Sequence, residues 1–241
     1  MKIFLNGAEG RMGKAIAAIA PDEKAVIQIA ATREHPQLEA IETCDVVLDF
    51  SSHEATLAIT AAAASAGKPL IIGTTGHTAE EKAAILEYQK KIPIVWAGNY
   101  AVGVNLLFYL TEKVAATLSN DFHPEVVEMH HRMKKDAPSG TAENLVEAIL
   151  RGRAWSEDTV RHGRSGITGE RPDEEIGVHS LRGGEVVGEH TVIFAGPGER
   201  LELKHQASDR RIFAQGAIVA ARWVLDQAPG LYNMQDVLGL K

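Results

Sequence analysis

Through its first hundred residues the chain alternates short apolar runs with helix-forming stretches, and this alternation restricts the fold more than any other feature. Ile3-Phe4-Leu5 reads as a buried strand, Arg11–Ala20 as a helix ended by Pro21, and Val26–Ala31 as a second strand. Val46–Phe50, Leu70–Ile72 and Ile94–Trp96 read as further strands, spaced by helices over Ala55–Ala66 and Ala79–Lys90. Strands that are apolar without a break need cover on both faces. Strand–helix–strand repeats supply it as a parallel sheet between two helix layers.

The pattern changes after Tyr100. Val104–Leu118 reads as one long helix, Glu125–His131 as a strand, and Thr141–Arg151 as a helix behind the turn Asp136-Ala137-Pro138-Ser139-Gly140. From Ile176 to Ala207 strands follow one another, broken at Arg182-Gly183-Gly184 and at Gly196-Pro197-Gly198. That is the pattern of an antiparallel meander. Phe213–Gln227 is a helix of Ala, Ile, Val and Trp that needs a sheet to pack on, and it is expected to return to the first domain. The expected fold class is therefore α/β: a doubly wound N-terminal domain of residues 1–101 plus 212–241, interrupted by an α+β domain of mostly antiparallel sheet over residues 102–211. The polar, Gly-rich stretch Arg151–Asp173 is expected to be mobile.

Gly7, Gly10 and Gly13 lie between the first strand and the first helix, with Arg11 and Met12 among them. A helix N-terminus exposes unpaired N–H groups and a positive dipole end, and glycines let a pyrophosphate approach it closely. Ala8 stands where the first glycine of G-x-G-x-x-G would be. A tight turn without a ligand would also explain three glycines, but the strand before and the helix after are the context that a Rossmann-like dinucleotide site requires. After the second strand the first polar side chains are Thr32 and Arg33, with Glu34 next. An arginine there suits a 2′-phosphate, so NADPH is the preferred cofactor and NADH the alternative. A solvated loop arginine is the bland reading.

Residues 128–142 read Glu-Met-His-His-Arg-Met-Lys-Lys-Asp-Ala-Pro-Ser-Gly-Thr-Ala. A solvated basic run would account for such a cluster in isolation. Here it sits in an acidic protein, 25 basic against 32 acidic residues for a net charge of −7, and it leads into a helix start. Ser139, Gly140 and Thr141 offer hydroxyls and backbone N–H groups there, which suits a carboxylate. His130 and Lys134 stand ready to supply protons or charge beside it. Reduction of a small anionic C=C or C=N substrate needs that combination. Metal binding by His130 and His131 is not expected, because neighbours on a strand point to opposite faces.

This element closely resembles the signature of the 4-hydroxy-tetrahydrodipicolinate reductase (dihydrodipicolinate reductase) family. The resemblance spans nearly the whole chain. It takes in Gly7–Gly13, Asp49-Phe50-Ser51, Gly73-Thr74-Thr75-Gly76, Asn99–Asn105, Arg161–Arg171, Gly188-Glu189-His190-Thr191 and His205–Arg210. It implies an NAD(P)H-dependent reductase of lysine and diaminopimelate synthesis with His130 and Lys134 as acid/base pair. It places His131 and the Ser139-Gly140-Thr141 turn on the substrate carboxylates. Gly73, Thr75 and Tyr100 would meet the nicotinamide end of the cofactor, and Arg210 would reach it from the other side of a cleft. The inserted domain would bind substrate and pair its sheet with others in a homotetramer. Thr32 stands where NADH-tolerant members often carry an acid, and Tyr100 replaces the phenylalanine often seen at that place in the family. Asp49 reads more simply as a residue that holds its loop.

Other classes fit less well. A net negative charge argues against a general nucleic-acid partner. No stretch approaches the ~18 uninterrupted apolar residues of a membrane span, and a soluble, cytoplasmic protein is expected. The one cysteine, Cys44, excludes an intrachain disulfide framework and a multi-Cys zinc site. It precedes the third strand, away from the 128–142 cluster, so a semialdehyde dehydrogenase with a cysteine nucleophile is rejected. A non-catalytic dinucleotide sensor would not need His130, Lys134 and the Ser139–Thr141 turn together.

Overall fold

The uninterrupted apolar runs form strands buried on both faces: Ile3–Leu5, Val46–Leu48 and Leu70–Ile72 expose no surface. The structure, a computed structural model, describes residues 1–240. The chain divides into two compact units, Met1–Val102 with Arg210–Lys241, and Gly103–Asp209. The first begins with β1 (Lys2–Asn6), α1 (Arg11–Ile19), β2 (Val26–Ala31), β3 (Val46–Asp49), α2 (His53–Ser65), β4 (Leu70–Ile72), α3 (Ala79–Leu86) and β5 (Pro93–Trp96). Then come α4 (Val102–Thr117), β6 (His123–His130), α5 (Gly140–Arg153), β7 (Val160–His162), β8 (Ile176–Arg182), β9 (Gly188–Ala195) and β10 (Arg200–Ala207). The chain ends in the first unit with α6 (Arg211–Trp223), β11 (Gly230–Tyr232) and α7 (Met234–Val237).

All strands of the first sheet are parallel, in the order β11-β5-β4-β3-β1-β2. Because β2 and β3 lie on opposite sides of β1, the loops leaving the carboxyl ends of β1 and β3 diverge. That reversal opens the crevice where ligands bind in sheets of this type. Side-chain alternation gives each face its own core. Ile3, Leu5 and Leu48 pack with Ile16 of α1 and Ala217 and Ile218 of α6. Phe4, Val47 and Ile72 pack with Ile59 of α2 and Ile85 of α3. The short β11 and α7 lie outside the elements expected from the sequence, since segments of three and four residues carry too little periodicity to read.

At the carboxyl ends of β1, β3 and β4 lies a buried polar knot. The Asp49 carboxylate accepts hydrogen bonds from Asn6 Nδ2 (2.8 Å), Ser51 Oγ (2.5 Å), Thr56 Oγ1 (2.7 Å) and Thr74 Oγ1 (3.1 Å). Each buried oxygen lone pair that finds a donor avoids a desolvation cost of about 1–3 kcal/mol. Asp49 therefore holds its loop, as its bland reading supposes.

The second sheet corrects the expected meander. Its order is β10-β9-β6-β8-β7. β9 and β10 are an antiparallel pair, but β6 lies between β8 and β9, antiparallel to β9 and parallel to β8, and β7 is also parallel to β8. The sheet is thus mixed rather than mostly antiparallel. The β8–β9 connection crosses the end of β6 and is bonded to it: Gly183 N–H donates to His130 O, and the His131 and Arg132 N–H groups donate to Val186 O and Gly184 O. Periodicity identifies strands but not their neighbours. The stretch Arg151–Asp173 is likewise more ordered than expected. It contains β7, and Arg164 and Arg171 both grip the Glu125 carboxylate, at 2.7 and 3.2 Å. Burial pushes that carboxyl up, but Arg164, His179 and Arg171 outweigh it and hold it at about 2. Among the described residues no helix is long and apolar enough to cross a membrane.

Candidate active site

In the first unit the glycine turn is shaped by close approach. Gly7 has φ +82°, and a Cβ there would lie 2.4 Å from the Phe50 carbonyl oxygen. A Cβ on Gly13 would lie 2.2 Å from the Gly7 oxygen, so α1 can seat against the turn only with glycine there. Gly10 is the N-cap of α1 and supplies no capping side chain, and no acid occupies the first turn. The N–H groups of Arg11, Met12 and Gly13, the first three helical positions, are left for solvent or an anion. Beside this turn lies a groove of about 440 Å³ lined by Gly7, Gly10, Thr32, Arg33, Phe50 and Ser51. Arg33 stands exposed at its rim, 3.1 Å from the Glu54 carboxylate.

The residues expected at the nicotinamide end fare differently. Gly73 is required by packing, since a Cβ would lie 2.0 Å from the Phe50 ring. Thr75 is exposed beyond β4, and Arg210 is exposed at the N-cap of α6. Tyr100 is a correction. Its ring is buried in the core, and its hydroxyl donates to the carbonyls of Ile72 (2.8 Å) and Val95 (3.1 Å). Burial raises its pKa well above the usual tyrosine value. The side chain is committed to the sheet and has no face to offer a cofactor.

In the second unit the 128–142 cluster is organised around a group absent from the expected site, the fully buried Glu128. Strand alternation puts Glu128 and His130 on one face of β6. Glu128 Oε2 lies 2.6 Å from His130 Nδ1, and Arg182 of β8 grips both carboxylate oxygens at 2.9 and 2.8 Å. Burial pushes the Glu128 carboxyl up, but Arg182 and His130 outweigh it and hold it at about 2. Burial lowers the pKa of His130, partly offset by Glu128. Lys134 Nζ bonds the Asp136 carboxylate at 2.7 Å.

Ser139 is a second correction. Its Oγ accepts the Ala142 N–H as N-cap of α5 and shares a hydrogen bond with His190 Nε2 at 3.0 Å, while its N–H donates to Glu128. The side chain is buried, so it supports the helix start rather than touching a ligand. Gly140 is different, because a Cβ there would meet nothing within 4 Å. The chain's own packing does not demand glycine at the first turn of α5. His131 Nδ1 is buried with no hydrogen-bond partner among the described residues. His190 packs edge-on against His130 with ring centres 5.2 Å apart, and burial, with His130 beside it, lowers its pKa to about 3. Glu128, Arg182 and His190 are not among the site residues expected from the sequence. The i, i+2 spacing of Glu128 and His130 was the signal available for one of them.

Two family profiles cover this chain: "Dihydrodipicolinate reductase, N-terminus" over residues 1–100 and "Dihydrodipicolinate reductase, C-terminus" over residues 103–238. The chain belongs to the dihydrodipicolinate reductase family. A 4-hydroxy-tetrahydrodipicolinate reductase from Akkermansia muciniphila is 51% identical over 100% of this chain and 98% of its own length. The corresponding reductase of Geobacter sulfurreducens is 42% identical over 100% of this chain and 99% of its own length. Among solved structures, a dipicolinate-bound dihydrodipicolinate reductase from Paenisporosarcina has the same fold, with a TM-score of 0.78 at 23% identity over 98% of each chain.

The buried histidines of this family member make stability depend on pH. His190 titrates at about 3 when folded, below the usual 6.5, so the unfolded chain binds more protons between those values. Its contribution is complete above pH 6.5 and is lost as pH falls, while those of Glu128 and Glu125 are lost only below about 4.5. Thermal denaturation should show the Tm falling from pH 6.5 to 5, and less steeply in His190→Gln. Equal slopes in both proteins would contradict the assignment.

Proposed function

We propose that this protein reduces 4-hydroxy-tetrahydrodipicolinate to tetrahydrodipicolinate in lysine and diaminopimelate biosynthesis, with NADPH preferred over NADH. Family membership supports the activity. The observation that carries it to particular residues is the His130–Glu128–Arg182 cluster beside the open first turn of α5. The dipicolinate bound to the Paenisporosarcina reductase supports a small dicarboxylate as ligand here.

The first unit fits a dinucleotide on its own geometry: a glycine turn against an uncapped helix start, beside a groove. Gly7, Gly10 and the N–H groups of Arg11, Met12 and Gly13 would hold the pyrophosphate. Arg33 would take the 2′-phosphate by leaving Glu54, an exchange of one exposed ion pair for a stronger charge-assisted one. Gly73, Thr75 and Arg210 would line the nicotinamide end. The bound reduced nicotinamide supplies a hydride. In the second unit Gly140 and Thr141 at the start of α5, with His131, hold the substrate carboxylates. Across the reaction the C–O bond to the 4-hydroxyl breaks and that group leaves as water, while the hydride adds to the ring. His130 delivers a proton to the carbon left electron-rich, and Lys134 adds positive charge that favours the dianion.

The sheet face opposite α5 carries Val127, Met129, Ile193 and the exposed Leu181. We place the pairing of subunits into a homotetramer there; a sedimentation mass of one or two chains would overturn it. A cytoplasmic location follows from the need for a reduced nicotinamide pool.

A coupled assay that makes the substrate from aspartate semialdehyde and pyruvate tests the activity. His130→Gln and Lys134→Ala should each lower kcat roughly 10²–10⁴-fold while NADPH binding persists. Unchanged turnover in both would remove their role. Arg33→Ala should raise the KM for NADPH by roughly tenfold and leave that for NADH nearly unchanged, and equal effects would refute the phosphate contact.

A further inference from the structure

We infer that Glu128 is the positioning residue of the proton donor: its buried carboxylate accepts the Nδ1 hydrogen of His130 and thereby leaves Nε2 as the nitrogen that exchanges a proton with the substrate. The inference rests on the reading of His130 as the acid, and adds a residue that reading does not contain.

The hydrogen-bond inventory of Glu128 decides which nitrogen carries the hydrogen. Arg182 donates to Oε2 at 2.9 Å and to Oε1 at 2.8 Å, and the Ser139 N–H donates to Oε1 at 3.2 Å. A carboxylate surrounded by donors stays ionised and offers only lone pairs. The contact of 2.6 Å to His130 Nδ1 then requires the hydrogen to sit on Nδ1. Arg182 cannot swing away cheaply, because it also donates to the carbonyls of Asp136 (2.7 Å) and Leu181 (2.6 Å). The carboxylate is therefore fixed, and it fixes the imidazole.

Gly188 borders the other side of the ring. A Cβ on Gly188 would lie 3.1 Å from His130 Nε2, so a glycine there leaves room beside the nitrogen that must act. The titratable and charged groups around the ring are Glu128 on its own strand, Lys134 in the following loop, Arg182 on β8 and His190 on β9. Among them only Glu128 favours the imidazolium; Lys134 and Arg182 oppose it. In the proton step the Nε2–H bond of the imidazolium breaks. Its proton forms a C–H bond with the electron pair of the carbon left electron-rich by hydride delivery. The ring returns to its neutral form with Nδ1–H still on Glu128, and solvent restores the Nε2 proton. A carboxylate in this arrangement both selects the tautomer and stabilises the cation.

Nitrogen-15 spectra of the imidazoles in the full-length protein, with His130→Gln to assign the signal, test the geometry directly. The neutral His130 ring should carry its hydrogen on Nδ1, and an Nε2–H ring would overturn the inference alone. In Glu128→Gln, kcat should fall roughly 10²–10⁴-fold with substrate KM changed less than about threefold. The alkaline decline of kcat should move to lower pH, because the acid has lost the carboxylate that holds its proton. Glu128→Asp should recover part of the loss. Wild-type kcat and an unmoved pH profile in Glu128→Gln would also overturn it. If that variant does not fold, the wild-type spectrum still decides. Full turnover in His130→Gln would instead overturn the acid assignment, and this inference with it.

Discussion

A carboxylate with no exposed surface cannot be left unpaired, and in the second unit that requirement falls on Glu128. Stranding such a charge costs several kcal/mol, so its partners must assemble around it as the chain folds. Arg182 brings β8, the Ser139 N–H brings the start of α5, and His130 comes from β6 itself. One ionised group thus joins a strand, its neighbour and a helix N-terminus. The start of α5 and the imidazole are set relative to each other by contacts to the same two oxygens. Ser139 strengthens the arrangement by capping α5 and bonding His190.

The first unit reaches a comparable result by different means. Asp49 sits where β1, β3 and β4 end, and its four donors are an amide and three hydroxyls rather than an arginine. That knot anchors the loop whose Phe50 carbonyl and ring press on Gly7 and Gly73. Contacts within the chain thus account for Gly7 and Gly73, and the uncapped start of α1 beside Gly7 also leaves N–H groups for an anion. Gly140 differs, since nothing in the chain crowds it.

Much of this was legible in the sequence because it depends on local pattern. Ile3–Leu5, Val46–Leu48 and Leu70–Ile72 are apolar without alternation, and that predicts strands covered on both faces. Gly7, Gly10 and Gly13 between strand and helix predict an anion cradle, and the His130–Thr141 segment predicts a polar site at a helix start. What could not be read depends on pairing across the chain. The place of β6 between β8 and β9 comes from long-range hydrogen bonds that leave no local trace. Tyr100 carries a polar group that a cofactor could use, yet backbone carbonyls at Ile72 and Val95 take it inside. Ser139 could have faced a ligand, but capping and His190 claim its oxygen. Glu128 reads as an ordinary strand residue until Arg182, fifty-four positions later, arrives beside it.

Glu128 and Arg182 thus act as one unit. A double-mutant cycle with Glu128→Gln, Arg182→Gln and the double variant, read by urea unfolding of the full chain, tests it most directly. Each single change should cost about 3–5 kcal/mol, because each strands the other partner, and the double change should cost little more than either alone. Costs that simply add would show instead that the two side chains are independent.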